Sequence, residues 1–136
     1  MPKVVCPWGL ITDFVTDAFV GYGVPREEAE ICTDVLLESD KRGIESHGCN
    51  RFKPIYLDRI KAGIQSATTD FEIIKETETT AVVDGHNGMG QVIGNRAMKL
   101  AIKRLKSMEW VWLLSETHAI TVSPDIILRW QPRTVV

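Results

Sequence analysis

Glycine is absent from Asn95 to the end of the chain, although ten glycines lie between Gly9 and Gly94. Aromatic residues are scarce at 7%, yet three of the four tryptophans, Trp110, Trp112 and Trp130, crowd into that glycine-free stretch. Cysteine is limited to Cys6, Cys32 and Cys49, an odd number without C-x-x-C spacing, which suggests neither a disulfide framework nor a zinc site. No sign of charge dominates: 16 basic and 18 acidic residues leave a net charge of -2. A broad basic field for nucleic acid or an anionic membrane is therefore excluded. No apolar run approaches the roughly 20 residues of a membrane helix, and the start lacks the apolar stretch of a secretory leader. The expectation is a reduced, cytoplasmic, metal-free chain.

What is there is ordinary globular composition, 44% hydrophobic and 25% charged over 136 residues. Leu10, Phe14, Val15, Ala18 and Phe19 repeat at helical spacing and predict a helix over 9–21, stopped by Gly21 and Gly23. Pro25 opens a second helix with Glu27, Glu28 and Glu30 near its positive end. Ala29, Cys32, Val35, Leu36 and Ser39 form its inward stripe, with Cys32 as a small core residue. A polar linker over 41–50 leads to a short third helix with Phe52, Ile55, Tyr56 and Ile60 inward and Gly63 as its stop. Two β-rich runs, 71–75 and 79–84, predict a hairpin without an Asn-Gly or Asp-Gly turn to pin its register. After the loop Gly85 to Gly90, a fourth helix over 91–108 turns Ile93, Ala97, Leu100, Ala101 and Leu105 inward. Lys99, Lys103, Arg104 and Lys106 then fall on its exposed face.

The chemistry concentrates in Glu45-Ser-His-Gly-Cys-Asn-Arg51. An imidazole exchanges protons near neutrality. Arg51 stands four residues after His47, a spacing that one helical turn would place on the same side. Such a pair suits a 2-oxo acid: Arg51 would hold the carboxylate through a bidentate fork while His47 protonates the neighbouring carbonyl oxygen. Gly48 would let a ligand approach the backbone, and Asp40 or Glu45 either holds the imidazole or is a solvated helix-end acid. From spacing alone, His47 and Arg51 also read as surface residues. Cys49 adjoins His47, but sequence neighbours do not face each other as a nucleophilic pair must.

The loop before the fourth helix has the setting of a dinucleotide-phosphate site, strand to helix N-terminus. Its glycines, Gly88, Gly90 and Gly94, are spaced G-x-G-x-x-x-G, and Ile93 stands where the fingerprint needs glycine. His86 reads as a solvent-exposed turn residue.

The run Gly23-Val-Pro, Ala29, Asp34-Val-Leu and Asp40-Lys-Arg-Gly-Ile-Glu-Ser-His-Gly-Cys-Asn-Arg51 resembles the N-terminal part of the malate/L-lactate dehydrogenase family. The matching continues through Tyr56, Arg59-Ile, Lys61-x-Gly63, Val83-Asp-Gly-His-Asn-Gly-Met-Gly-Gln91 and the helix Ala97-Met to Ala101-Ile102. That family consists of non-Rossmann, NAD(P)-dependent 2-oxo acid reductases. The resemblance implies a mixed α/β fold, here incomplete: N-terminal helices, a β-hairpin and a further helix of a larger dehydrogenase. It implies that His47 matches the catalytic proton donor and Arg51 the carboxylate-binding arginine. It further implies NAD or NADP as cofactor, a small 2-oxo acid as substrate, a homodimer, and cofactor-binding residues in a missing C-terminal part.

The resemblance covers residues 1–108 and then stops. The family continues with a glycine-rich strand and an R-N-S-x-H-(F/Y)-G-x-A-G-Y-Y segment; this chain continues Glu109-Trp-Val-Trp. Joining the third base of each codon from Ala119 onward to the first two of the next recovers that segment. Trp130 with Gln131 forces alanine, Asp125 with Ile126 allows only tyrosine or histidine, and the degenerate bases of 119–133 permit H-Y-G-I-A-G-Y-Y-S-P-M-A-A-E. Met108-Glu-Trp-Val-Trp is what M-G-V-G-V becomes when one G is lost. The expectation is therefore an N-terminal reductase part over 1–108 and an out-of-frame tail over 109–136, ending at an accidental stop; His118 is then no counterpart of the family's second histidine. A divergent C-terminus, with Val111 to Leu114 as a strand, is the competing reading. As written, the chain is expected to be an inactive member of an oxidoreductase family. The alternative is a non-enzymatic remnant or a helical self-association fragment.

Overall fold

In a computed structural model, which describes residues 5–105, 111–115 and 119–122, the chain divides into two units. The first takes the chain through Thr69 together with His86–Val92; the second takes Asp70–Gly85 and the chain from Ile93 on.

Helix α1 (Trp8–Gly21) and helix α2 (Arg26–Lys41) form an antiparallel pair in the first unit, with Pro25 at the N-cap of α2 and Glu27 and Glu28 in its first turn. Val15, Phe19, Ala29, Cys32 and Leu36 meet Val24, Phe52, Leu57, Met89 and Val92 in one core. Phe19 is fully buried, its ring edge-on to Phe52 at 4.9 Å and to Tyr56 at 6.2 Å. The face of α1 is rotated from the expected one. Leu10 and Phe14 are 62% and 66% exposed, while Thr16 is buried and donates to Thr33 of α2 at 3.0 Å. Val35 of α2 is likewise exposed, and Leu37 takes a buried place.

The expected linker carries short helical turns of its own, and the expected third helix is π-helical at its start. Two 3₁₀ turns, Glu45–His47 and Cys49–Arg51, run into a π-helical stretch, Phe52–Leu57, and then a single α-helical turn, α3 (Asp58–Lys61). Pro54 lies inside the π stretch. It has no N–H to donate and its ring crowds the carbonyl one turn back, so a widened turn relieves both problems. Gly63, at φ +71, ends α3 in the left-handed conformation as expected: its N–H bonds to Ile60 O and that of Ile64 to Arg59 O, each at 3.0 Å.

The second unit holds a four-stranded sheet in the order β1-β2-β3-β4: β1 (Glu72–Glu76), β2 (Thr80–Asp84), β3 (Val111–Ser115) and β4 (Ala119–Val122). β1 and β2 form the expected hairpin, with a bulge between Ile73 and Lys75. Its register is set by threonines instead of an Asn-Gly turn: Thr77 N–H bonds Thr80 O at 2.8 Å, and Thr80 N–H bonds Thr77 Oγ1 at 3.0 Å. β2 runs parallel to β3, and helix α4 (Gly90–Leu105) is the crossover between them. Ala81 and Val83 of β2 pack on Ala97 and Ala101 of α4, small residues that permit close approach of helix to sheet. Arg104, expected on the exposed face of α4, instead ties the hairpin down. It donates to Thr77 O at 2.8 Å and Thr80 O at 3.3 Å and pairs with Glu76. Among the described residues no helix is long and apolar enough to cross a membrane.

Candidate active site

All of the candidate site lies in the first unit. His47 closes the first 3₁₀ turn and Arg51 closes the second, with Gly48 between them at φ -93, ψ -152. The expected single helical turn is therefore interrupted by one extended residue. The two side chains are nevertheless linked, through Ser46. Its hydroxyl lies 2.9 Å from His47 Nδ1, and its carbonyl accepts a hydrogen bond from Arg51 Nε.

Both candidate side chains are exposed. With Nδ1 occupied by Ser46, His47 Nε2 has no hydrogen bond among the described residues. The two terminal nitrogens of Arg51 have none either, so the side of the guanidinium that can take a carboxylate bidentately is open. The pairing with Ser46 was not readable from spacing; its only signal was the seryl hydroxyl directly before the histidine.

Asp40 does not hold the imidazole. Its Oδ2 accepts the Cys49 main-chain N–H at 2.9 Å, and Glu45 is exposed without a hydrogen bond among the described residues. Gly48 is not an open approach for a ligand: it is buried, and what approaches it is the Asp40 carboxylate, into which a Cβ at position 48 would fall. Cys49 favours the neutral thiol. Burial first, and then the hydrogen bond to and charge of Asp40, push its thiol up to about 12. Cys32 is a core thiol as expected, pushed up to about 12 by burial and secondarily by the Glu28 carboxylate. Tyr56, at the end of the π stretch, is hydrogen-bonded to Gln91 at the start of α4. Burial pushes its phenol up, while the Gln91 bond and the Arg51 charge act downward.

The loop ahead of α4 makes a turn through His86 and Asn87, both left-handed at φ 44 and φ 57, with His86 exposed as expected. Part of its main chain is occupied internally. Asn87 O accepts from Ser66 N–H at 2.9 Å, Gly88 O from Gln65 Nε2 at 3.3 Å, and Met89 N–H donates to Thr69 Oγ1 at 3.2 Å. Of the amides that a phosphate cradle at this helix start would use, that of Met89 is therefore taken by Thr69. Among the described residues no three His, Cys, Asp or Glu side chains converge to hold a metal ion.

An imidazole and a guanidinium tied to one serine on consecutive 3₁₀ turns are a candidate acid-and-anion pair, and the chain's helices and mixed sheet with a helical crossover make the scaffold α/β. Comparison with known proteins gives that class a family. The model of the malate/L-lactate dehydrogenase family matches residues 8–119, and the chain belongs to that family. It is 44% identical over 94 residues to L-sulfolactate dehydrogenase of Methanocaldococcus jannaschii, covering 69% of this chain and 27% of that protein. It is 41% identical over 100 residues to malate dehydrogenase of Pyrococcus horikoshii, covering 74% and 28%. Among solved structures, malate dehydrogenase of Entamoeba histolytica superposes with a TM-score of 0.80 at 36% identity, over 84% of this chain and 32% of that one. The chain thus spans about a quarter to a third of the length of the relatives it matches.

Proposed function

We propose that this chain is the N-terminal part of an oxidoreductase that interconverts a small 2-oxo acid and its 2-hydroxy acid, with NAD(P)H as the co-reactant. The observation that carries this reading is the common tether on Ser46, which leaves His47 Nε2 and the terminal nitrogens of Arg51 open. A 2-oxo acid offers a carboxylate to the guanidinium and, one bond away, a carbonyl oxygen to the imidazole. Arg51 orients the acid and offsets its charge; His47 supplies the proton to the carbonyl oxygen on reduction and receives it on oxidation. The dinucleotide would be held by residues in the length of its relatives that this chain does not span, and the 136-residue chain is expected to have no dehydrogenase turnover of its own.

Two further parts of the proposal rest on other observations. The three free cysteines suit a reducing compartment, the cytoplasm. Exposed Trp8, Leu10 and Phe14 on α1 support association as a homodimer. The 109–136 segment is proposed to be out-of-frame text, supported by the family segment latent in its codons; the family match itself runs on to residue 119.

Oxamate, an unreactive isostere of a 2-oxo acid, tests the half-site directly. Titrated into the isotope-labelled chain, it should shift the His47 ring and Arg51 Nε–H resonances. Arg51→Lys should weaken binding by about tenfold, because an ammonium cannot reproduce the bidentate fork. Unshifted resonances, or equal affinity in Arg51→Lys, would show that these residues do not form a carboxylate site.

A further inference from the structure

At the end of α2 the main chain turns back on itself, with Gly43 N–H bonded to Asp40 O at 3.0 Å and Ile44 N–H to Ser39 O at 2.9 Å. The Asp40 side chain does not extend into solvent like an ordinary helix-end acid. It is half-buried, it receives the Cys49 N–H at 2.9 Å, and it is also hydrogen-bonded to the Cys49 thiol. Its carboxylate lies against Gly48 so closely that no Cβ fits between them. The backbone of Gly48 is extended, which any residue adopts, so a side chain here would act by displacing the Asp40 carboxylate.

The Gly48–Cys49 peptide is the covalent link between the turn that carries His47 and the turn that carries Arg51. The Arg51 Nε bond to Ser46 is the other tie between them. A small rotation at the link would separate imidazole from guanidinium, and a displacement of about 1 Å is enough to cost a catalytic pair much of its effect.

We infer that Asp40 is a positioning residue for the His47–Arg51 pair, clamping the Gly48–Cys49 peptide so that the two groups keep one spacing. The inference rests on the reading of those two residues as proton donor and carboxylate holder. Asp40 acts through its acceptor oxygen and its short reach, not through its charge. Asparagine keeps the oxygen and the reach while losing the charge. Glutamate keeps the charge but adds a methylene where Gly48 leaves no room.

The two roles therefore predict opposite orders among variants. Asp40→Asn, Asp40→Glu, Asp40→Ala and Gly48→Ala are compared with the wild-type chain by Cys49 amide hydrogen exchange, by the His47 ring and Arg51 Nε–H resonances, and by oxamate affinity. Asp40→Asn should keep wild-type resonances and an affinity within about threefold; the other three should exchange Cys49 at least about tenfold faster, shift both side-chain resonances and lose about tenfold in affinity. Amide protection within α1 and α2 shows which variants retain the fold, and Asp40→Asn against Asp40→Glu decides the matter if the others do not. Wild-type behaviour in Asp40→Glu with loss in Asp40→Asn overturns the clamp, as does unchanged Cys49 exchange throughout. A wild-type chain that ignores oxamate overturns the functional reading, while the exchange and resonance order still decides the clamp.

Discussion

Each of the three thiols has a different environment, and the difference has consequences that can be measured. Cys6 is exposed, Cys32 is in the core, and Cys49 is half-buried against Asp40. Burial, aided by Glu28, raises Cys32 from an ordinary 9.0 to about 12. The folded state thus favours the protonated thiol. Its contribution to stability is complete below pH 9 and is lost as pH rises from there towards 12. Across that window Cys32 alone should lower the unfolding free energy by up to about 1.4 kcal/mol per pH unit. Cys32→Ala should cost about 1 kcal/mol at pH 7 through lost burial, yet show a shallower alkaline decline. Denaturant titrations from pH 7 to 11 read both effects, and an unchanged slope in Cys32→Ala would contradict this assignment. At pH 8, iodoacetamide should label Cys6 much faster than Cys32 or Cys49 in the folded chain.

The elements are joined by a buried polar relay that hydrophobic patterning does not reveal. Glu28 of α2 accepts the Thr69 N–H at 3.0 Å, and Thr69 Oγ1 accepts the Met89 N–H at 3.2 Å just before α4. Thr69→Val preserves the shape and the N–H but removes that acceptor, leaving a buried amide without its partner. The expected cost is about 1–3 kcal/mol, read as a drop of several degrees in the calorimetric midpoint. Glu28→Gln retains an acceptor oxygen and should be milder. No change in Thr69→Val would mean that the Met89 amide finds another partner.

The same limit decides how much of the architecture was legible in the sequence. α1, α2, the hairpin and α4 could be located because periodicity, Pro25 and the flanking glycines are local signals. The facing of α1 could not, because its apolar residues cover more than one face of the helix and only packing selects Phe19 over Phe14. The third helix departs from regular α geometry because Pro54 widens its first part into a π stretch and leaves a single α turn, which no periodicity rule reveals. In the candidate site, His47 and Arg51 stood out as a motif. The roles of Ser46 and Asp40 did not, because they depend on a close approach between residues 40 and 48 that no spacing rule encodes.

At the scale of the whole molecule, the described residues carry the proposed half-site, and none of them is proposed as the cradle for the dinucleotide. Its nearest sequence counterpart, the loop from Gly85 to Gly90, has part of its main chain bonded to Gln65, Ser66 and Thr69. The chain spans only about a quarter to a third of its relatives, and the proposed seam at Met108 accounts for the change of composition beyond it. If one G is restored after the Met108 codon, the text past the seam should recover the glycine-rich strand and the H-Y-G-I-A-G-Y-Y segment. The product should then oxidise NADH or NADPH with oxaloacetate or pyruvate, whereas the 136-residue chain should not. Two variants separate the half-site from the seam in that restored protein. Arg51→Lys should mainly raise KM, because the carboxylate is held before and during reaction. His47→Gln should mainly lower kcat, by about 10²–10⁴-fold, because the proton is needed only at the chemical step. Turnover by the 136-residue chain itself, or codons past 108 that encode no family segment in the shifted frame, would refute the seam. Restored turnover indifferent to both substitutions would refute the site instead.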